Sequence, residues 1–118
     1  MSGQYHQIVR DITGKLREFH QEIPDTAQAF TAMAKATHGD GALSKKQKEL
    51  MAMAIAIAAR CEGCLGFHAQ ACVKLGVTRA EFLEMIQVAV YMGGGPSMMT
   101  SAEALMAYEE YGGEKVSE

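Results

Sequence analysis

The sequence predicts an all-α protein of about six helices, and three observations lead to this prediction. Apolar residues recur at steps of three and four along most of the chain, which is the spacing of one helix face. Nine methionines, many alanines and only two prolines among 118 residues favour helices over strands. No stretch shows the strict alternation of apolar and polar residues that is typical of a half-buried strand. The length suits one domain, residues 1–118.

The first two helices are predicted on either side of Pro24, which interrupts the helical pattern. The first covers about residues 4–21 and the second about residues 25–36. Each helix carries an apolar stripe, formed by Ile8, Ile12, Leu16, Phe19 and Ile23 on the first and by Ala27, Phe30, Met33 and Ala34 on the second. Residues 38–41 then have the composition of a loop.

The third and fourth helices are predicted from their end signals. Ser44 and Gln47 fit a capping box, which starts a third helix that reaches about Ala59. The pattern loosens near residue 60, and a fourth helix covers about 62–75. Gly76 follows it, at the position where a left-handed residue is expected after a helix.

The last two helices are separated by three consecutive glycines, residues 93–95. Thr78 and Glu81 form a second capping box at the start of the fifth helix. Pro96 is placed in the first turn of the sixth helix, which runs to about Tyr111. The fifth helix should direct one set of apolar side chains inward: Phe82, Met85, Ile86, Ala89 and Val90.

Charge and hydropathy disfavour several classes of partner. The net charge is −3 and no basic run extends beyond Lys45-Lys46, so nucleic acid is not an expected partner. The longest apolar run, residues 50–59, is shorter than the roughly 20 residues that span a bilayer. The first residues lack the apolar core of an export signal. We therefore expect a cytoplasmic protein without a membrane partner, and in that reducing compartment close cysteine pairs are mostly catalytic or metal-binding.

The segment with the clearest chemistry is residues 61–68, CEGCLGFH. On a helix, Cys61, Cys64 and His68 are separated by steps of three and four, so their side chains share one face. Two sulfurs at this spacing can form a disulfide, and both a helix N-terminus and a neighbouring imidazole favour the thiolate. The pattern predicts thiol–disulfide chemistry, in which one thiolate attacks a peroxide or disulfide and the other thiol resolves the product.

Two other interpretations of this segment remain open. The same three side chains could bind zinc with Cys72 as a fourth ligand, although residues 64–72 span about 12 Å of a straight helix. The two cysteines could also be small buried apolar groups. Cys72 by itself is expected to be a packing residue. The remaining histidines lack a partner at helical spacing and are expected to be surface or cap residues: His6, His20 and His38.

The arrangement Glu49-(x11)-Cys61-x-x-Cys64-x-x-x-His68 resembles the core of the AhpD-like, carboxymuconolactone decarboxylase superfamily. Residues 75–105, LGVTRAEFLEMIQVAVYMGGGPSMMTSAEAL, are also similar to that superfamily in their helix cap, apolar helix, glycine turn and last helix. The resemblance covers about residues 40–108. It implies an AhpD-like helical bundle that assembles into homotrimers or homohexamers.

The resemblance further implies a role for each residue of the motif. Cys64 would be the peroxide-attacking residue that forms a sulfenic acid, and Cys61 the proton donor and resolving thiol. His68 and Glu49 would form the proton relay. No cofactor or metal is implied. The partners would be a small hydroperoxide or disulfide substrate and a reductant of the dithiol or dihydrolipoyl type.

Three features of this sequence complicate the transfer of roles. Position near a helix start would by itself favour Cys61 as the thiolate, but His68 lies one turn from Cys64 and two from Cys61. AhpD has a histidine between its cysteines, where this chain has Gly63, so one relay member is lost. Glu49 would lie about 18 Å from Cys61 on a straight helix, so the relay requires a turn near residues 60–63 or a contact between subunits.

Two further functions remain as alternatives. One is a lactone decarboxylase, although the resemblance suggests that those enzymes usually lack the cysteine pair. The other is a non-catalytic, redox-sensing oligomeric protein, which the loss of the relay histidine at Gly63 favours. Surplus methionines on the last helix either complete an interface between subunits or fill the core: Met98, Met99 and Met106.

Overall fold

The computed structural model describes residues 3–116, and its regular structure consists of six α-helices. Their bounds are α1 Gln4–Glu22, α2 Pro24–Thr37, α3 Lys45–Ala59, α4 Glu62–Lys74, α5 Arg79–Gly93 and α6 Gly95–Glu110. The part of the chain so described contains no β-strand. The all-α prediction is confirmed, and the predicted helix ends agree closely with the observed ones. None of the helices between residues 3 and 116 combines the length and the apolar character that a membrane span needs.

Both predicted capping boxes are present and fix where α3 and α5 begin. The Ser44 hydroxyl accepts from the Gln47 amide at 3.0 Å, and the Gln47 side chain accepts from the Ser44 amide at 2.8 Å. Thr78 and Glu81 repeat this exchange at 3.2 and 2.9 Å. Each box satisfies two amides that the first turn of a helix leaves without partners. Gly76 has a φ of +75° after α4, as predicted.

The buried core lies among α3, α4, α5 and α6. Phe82 and Tyr108 stack with ring centroids 4.5 Å apart, and the Tyr108 hydroxyl donates to the Val77 carbonyl at 2.7 Å. The predicted inward face of α5 is confirmed, because Phe82, Met85 and Ala89 are buried. Cys72 is a free thiol with no solvent exposure, which confirms its prediction as a packing residue. Burial, with a smaller contribution from Glu49, raises the pKa of this thiol to about 12.

Helix α1 is held against the bundle near its N-terminal end. A Cβ atom at Gly66 would lie 2.6 Å from Cγ2 of Val9, so the absent side chain lets α1 and α4 approach closely. The Glu110 carboxylate accepts from the amides of Tyr5 at 3.2 Å and His6 at 2.7 Å, and also from the His6 ring at 2.7 Å. His6 therefore has a partner distant in sequence, which helical spacing could not predict.

The second half of α1 and the whole of α2 are poorly covered. No residue of α2 is buried. The apolar stripe of α1 divides, since Ile8 packs against the core whereas Leu16, Phe19 and Ile23 are exposed. On α2, Phe30 and Met33 are exposed as well. The helical periodicity identified these helices correctly, but most of the apolar residues on the faces it identified lie outside the core of this chain.

Candidate functional site

The reversal between α3 and α4 creates the site. Arg60 ends α3 in the left-handed region, with φ 57° and ψ 45°. Its amide bonds the Ile57 carbonyl at 3.1 Å, and the Cys61 amide bonds the Ala56 carbonyl at 3.1 Å. These bonds satisfy carbonyls that the last turn of a helix leaves free. The chain then enters α4 folded back along α3. This is the turn near residues 60–63 that Glu49 needs to reach the cysteine motif.

Cys61 is the N-cap of α4 and not a member of the helix, so the expectation that all three motif side chains share one helical face is corrected. Its sulfur nevertheless lies over the first turn, where it accepts from the Cys64 amide at 3.2 Å. The cause is the left-handed residue at Arg60, which ends the preceding helix and leaves Cys61 in extended backbone.

Cys61 and Cys64 form a disulfide, with their Cα atoms 5.2 Å apart. Both residues are half-buried at the N-terminus of α4, where free amides create a positive potential. Because the two sulfurs are bonded to each other, neither is a thiolate that could bind a metal ion in this oxidised state. Within residues 3–116, no set of three or more histidine, cysteine, aspartate or glutamate side chains is placed to hold a metal ion.

Glu49 and His68 are brought together across the α3–α4 interface. The protonated Nδ1 of His68 donates to Oε1 of Glu49, 19 residues earlier in the chain. Glu49 is buried, with 4% of its surface exposed, so the general expectation that a glutamate near a lysine-rich helix start is solvated does not hold. A proton on Nδ1 leaves the lone pair of a neutral imidazole on Nε2, where it can act as a base.

A second imidazole also faces Glu49, and sequence reasoning missed it. His38 follows α2, its Nδ1 lies 2.5 Å from the Ala34 carbonyl, and its Nε2 lies 3.9 Å from Oε2 of Glu49. The expectation of a cap residue was correct for the Ala34 contact but omitted the carboxylate. Spacing gave no signal, because His38 reaches Glu49 only through the loop between α2 and α3. The hint available in the sequence was its place in the loop just before the capped helix that carries Glu49.

An apolar cavity of about 580 Å³ opens beside these groups. Leu43, Met51, Ala52 and Ile55 form its apolar surface, while His38, Glu49 and His68 contribute polar groups to the wall. A concave apolar surface with a few convergent polar groups is the usual form of a small-molecule site. The arrangement could hold an apolar substrate next to an imidazole base.

A family model and two solved structures that are similar to this chain carry the same family name. The sequence model of the carboxymuconolactone decarboxylase family matches residues 24–107. A crystal structure of a member of that family from Legionella pneumophila is 53% identical, with a TM-score of 0.91 over 93% of this chain and 98% of the other. A family member from Thermotoga maritima, for which a part in the antioxidative response has been suggested, is 25% identical with a TM-score of 0.77, over 86% and 87% of the two chains. An uncharacterized protein of Cupriavidus necator is 30% identical over 86% of this chain and 96% of its own length.

Proposed function

We propose that this chain, which belongs to the carboxymuconolactone decarboxylase family, is a thiol-dependent peroxidase and disulfide oxidoreductase. The observation that carries the proposal is the Cys61–Cys64 disulfide at the start of α4, one turn before an imidazole held by a buried carboxylate. Such a pair can cycle between dithiol and disulfide. The part suggested for the Thermotoga maritima relative in the antioxidative response agrees with this chemistry.

In the proposed peroxidase step, His68 removes the proton of the Cys64 thiol and the thiolate attacks the hydroperoxide. The O–O bond breaks and one oxygen joins the sulfur, which loses two electrons and becomes a sulfenic acid. The other oxygen leaves as an alcohol after it receives the proton held by His68. Glu49 stabilises the protonated imidazole between these transfers and keeps Nε2 available.

Cys61 then resolves the intermediate. Its sulfur attacks the Cys64 sulfenic acid, water leaves and the disulfide forms. A dithiol donor attacks Cys64, Cys61 departs as a thiolate, and a second thiol of the donor completes the exchange. The Cys64 amide bonded to the Cys61 sulfur stabilises that leaving thiolate. Since a dithiol donor is abundant in a reducing compartment, the proposal places the cycle in the cytoplasm.

The decisive experiment follows cumene hydroperoxide consumption with dihydrolipoamide as the donor. We expect steady turnover by the native protein, a loss of at least about a thousandfold in Cys64→Ser, and near-native turnover in the control Cys72→Ser, whose sulfur is remote from solvent. In Cys61→Ser, mass spectrometry after one equivalent of peroxide should find a trapped sulfenic acid on Cys64.

Two results would contradict the proposal. A sulfenic acid found only on Cys61 in the matched serine variants would reverse the two roles. One equivalent of peroxide consumed per chain, with no turnover when donor is present, would instead favour the redox-sensing alternative. An assay of carboxymuconolactone decarboxylation, run in parallel, tests the alternative function of a lactone decarboxylase, which does not need the disulfide.

We also propose that the protein forms a homo-oligomer, a trimer or hexamer as the resemblance implies. Residues 3–116 include sixteen large apolar side chains that are exposed in the isolated chain, and Met98, Met99 and Met106 are among them. Exposed apolar surface of this extent is typical of interaction sites. Light scattering coupled to gel filtration measures the subunit number, and a monomer mass at every concentration would exclude assembly.

A further inference from the structure

We propose that His38 is a positioning residue of the thiol site, which competes with His68 for the single carboxylate of Glu49. A proton on His38 then opposes the proton that His68 must accept from Cys64. As the pH rises and His38 loses its proton, Glu49 becomes fully available to His68 and thiolate formation is promoted. The inference rests on the proposed function in assigning the reactive thiolate to Cys64.

The orientation of His38 follows from its contact with α2. A carbonyl oxygen only accepts hydrogen bonds, so the Nδ1 that lies 2.5 Å from the Ala34 carbonyl carries a proton. The other ring nitrogen, Nε2, is therefore the atom left to exchange a proton, and it lies 3.9 Å from Oε2 of Glu49. An unprotonated Nε2 has no proton to offer the carboxylate, so the two groups do not attract each other. The contact becomes attractive when Nε2 holds a proton, at ion-pair distance or through one bridging water.

The two oxygens of Glu49 divide between the two imidazoles. Oε1 accepts from His68, which comes from α4, and Oε2 faces His38, which follows α2. The Glu49 side chain is only 5% exposed, whereas that of His38 is 54% exposed. A buried carboxylate can compensate one neighbouring cation well, but two imidazolium groups on one carboxylate repel each other. Protonation of either imidazole therefore disfavours protonation of the other. His38 is the more exposed of the two imidazoles.

Charged side chains of both signs line the cavity beside His38. Lys45 and Lys48 of α3 line the cavity with His38, and both ammonium groups oppose a second positive charge there. The Lys48 ammonium is held at 2.9 Å from the Gly39 carbonyl. Glu49 is the acidic side chain in the wall of this cavity. A proton on His38 is thus attracted by one carboxylate and opposed by two lysine ammonium groups.

The proton transfer affected by His38 is a simple exchange. The S–H bond of Cys64 breaks, its proton joins Nε2 of His68, and the electron pair stays on sulfur as the thiolate. A His38 proton is released to water as the pH rises and takes no part in the covalent chemistry. His38 acts through Glu49, and its removal should change the pH dependence of thiolate formation without abolishing it.

The test measures alkylation of Cys64 by iodoacetamide against pH, in reduced protein that carries Cys61→Ser. Serine preserves an N-cap hydrogen bond at this position, and the buried Cys72 thiol, with its raised pKa, does not react. We expect His38→Gln to be alkylated roughly three- to tenfold faster near pH 6, since half a unit to one unit of proton affinity gives that factor. The two rates should converge in alkaline solution. The matched control is His20→Gln, an exposed histidine on α1, which should follow the unsubstituted profile.

A double-mutant cycle decides whether the effect passes through Glu49. In a Glu49→Gln background, the effect of His38→Gln should disappear. The proposal is overturned if the His38→Gln profile matches the unsubstituted one at every pH, if its rate is lower near pH 6, or if its effect persists without Glu49. Circular dichroism and thermal unfolding verify that each variant is folded, and Glu49→Met, which is also uncharged and of similar length, replaces Glu49→Gln as the background if Glu49→Gln does not fold.

Alkylation needs no hydroperoxide, so the two proposals fail separately. Loss of hydroperoxide turnover with an intact His38 effect would remove the peroxidase assignment and leave the competition for Glu49 standing. Hydroperoxide turnover without a His38 effect on alkylation would remove the competition for Glu49 and leave the peroxidase assignment standing.

Discussion

The bundle α3–α6 and the helical hairpin α1–α2 are stabilised in different ways. Of the fourteen buried apolar residues among residues 3–116, only Tyr5 comes from the hairpin, and the other thirteen lie at residue 53 or beyond. The bundle is therefore organised around its own core, while the hairpin is attached through the N-terminal half of α1. A helix can therefore contribute to the site without contributing to the core, because α2 is poorly covered and yet positions His38.

The candidate site follows the same division. The bundle supplies Cys61, Cys64, His68 and Glu49, and the end of the hairpin supplies His38. Changes in the bundle should thus affect the fold and the basic chemistry together. Changes in the hairpin should affect the pH response and assembly while leaving the bundle folded. Four stability measurements test whether the bundle and the hairpin differ in this way.

The largest effect is expected from the centre of the bundle. Phe82→Ala removes a fully buried ring stacked on Tyr108, and we expect the free energy of unfolding to fall by about 3–5 kcal/mol. Denaturant titration measures this loss. A loss below about 1 kcal/mol, no more than an ordinary surface substitution causes, would show that the bundle is not the stabilising unit.

An intermediate effect is expected where the two regions meet. Gly66→Ala would place a methyl group against Val9 and near the Tyr5 carbonyl, so the Val9 side chain or α1 must shift, at a cost of about 1–3 kcal/mol. The control Gly14→Ala adds a methyl where no atom lies within 4 Å, and it should stabilise α1 by up to about 1 kcal/mol. Chemical denaturation of both variants gives the comparison. Equal changes in the free energy of unfolding for the two variants would mean that close contact between α1 and α4 does not contribute to stability.

A smaller and pH-dependent effect is expected at Glu110. Desolvation raises the pKa of this carboxyl, but hydrogen bonds from His6 and Tyr5 outweigh it, so the pKa lies below the ordinary 4.5. A carboxyl whose pKa is lower in the folded than in the unfolded state stabilises the fold above the unfolded value, and this contribution is lost as the pH falls through the folded value.

Glu110→Gln should therefore lower stability by about 1 kcal/mol at neutral pH. In strongly acidic solution the difference in stability should vanish, because the Glu110 carboxyl is then protonated in the folded state as well as in the unfolded state. Thermal unfolding across this pH range measures the difference. A constant difference at all pH values would show that the charge of Glu110 does not tether α1.

The smallest effect is expected on α2. Phe30 is 66% exposed, so Phe30→Ala should change the stability of the dilute, monomeric protein by no more than about 0.5 kcal/mol. If a second copy covers this face, the loss should grow with protein concentration. Denaturation at several concentrations distinguishes the cases, and a large loss in the monomer would contradict the exposure of α2.

Local signals in the sequence determined the helices and the disulfide. The helix signals depend on interactions over a few residues. They are the capping boxes at Ser44 and Thr78, the glycine after α4 and the proline at the start of α6. The spacing of Cys61 and Cys64 is likewise local, so a bond between them could be anticipated. The family resemblance added Glu49, which periodicity alone would have left in solvent.

Only the tertiary structure decided which residues meet. Arg60 reverses the chain in the left-handed conformation, which an arginine rarely adopts and which the sequence therefore did not predict. This reversal places Glu49 against His68. The contact between His38 and Glu49 depends on the path of a loop, and the exposure of the α2 stripe depends on where the bundle ends. Periodicity reports which side of a helix is apolar, but it carries no information about what covers that side, because packing partners come from distant parts of the chain.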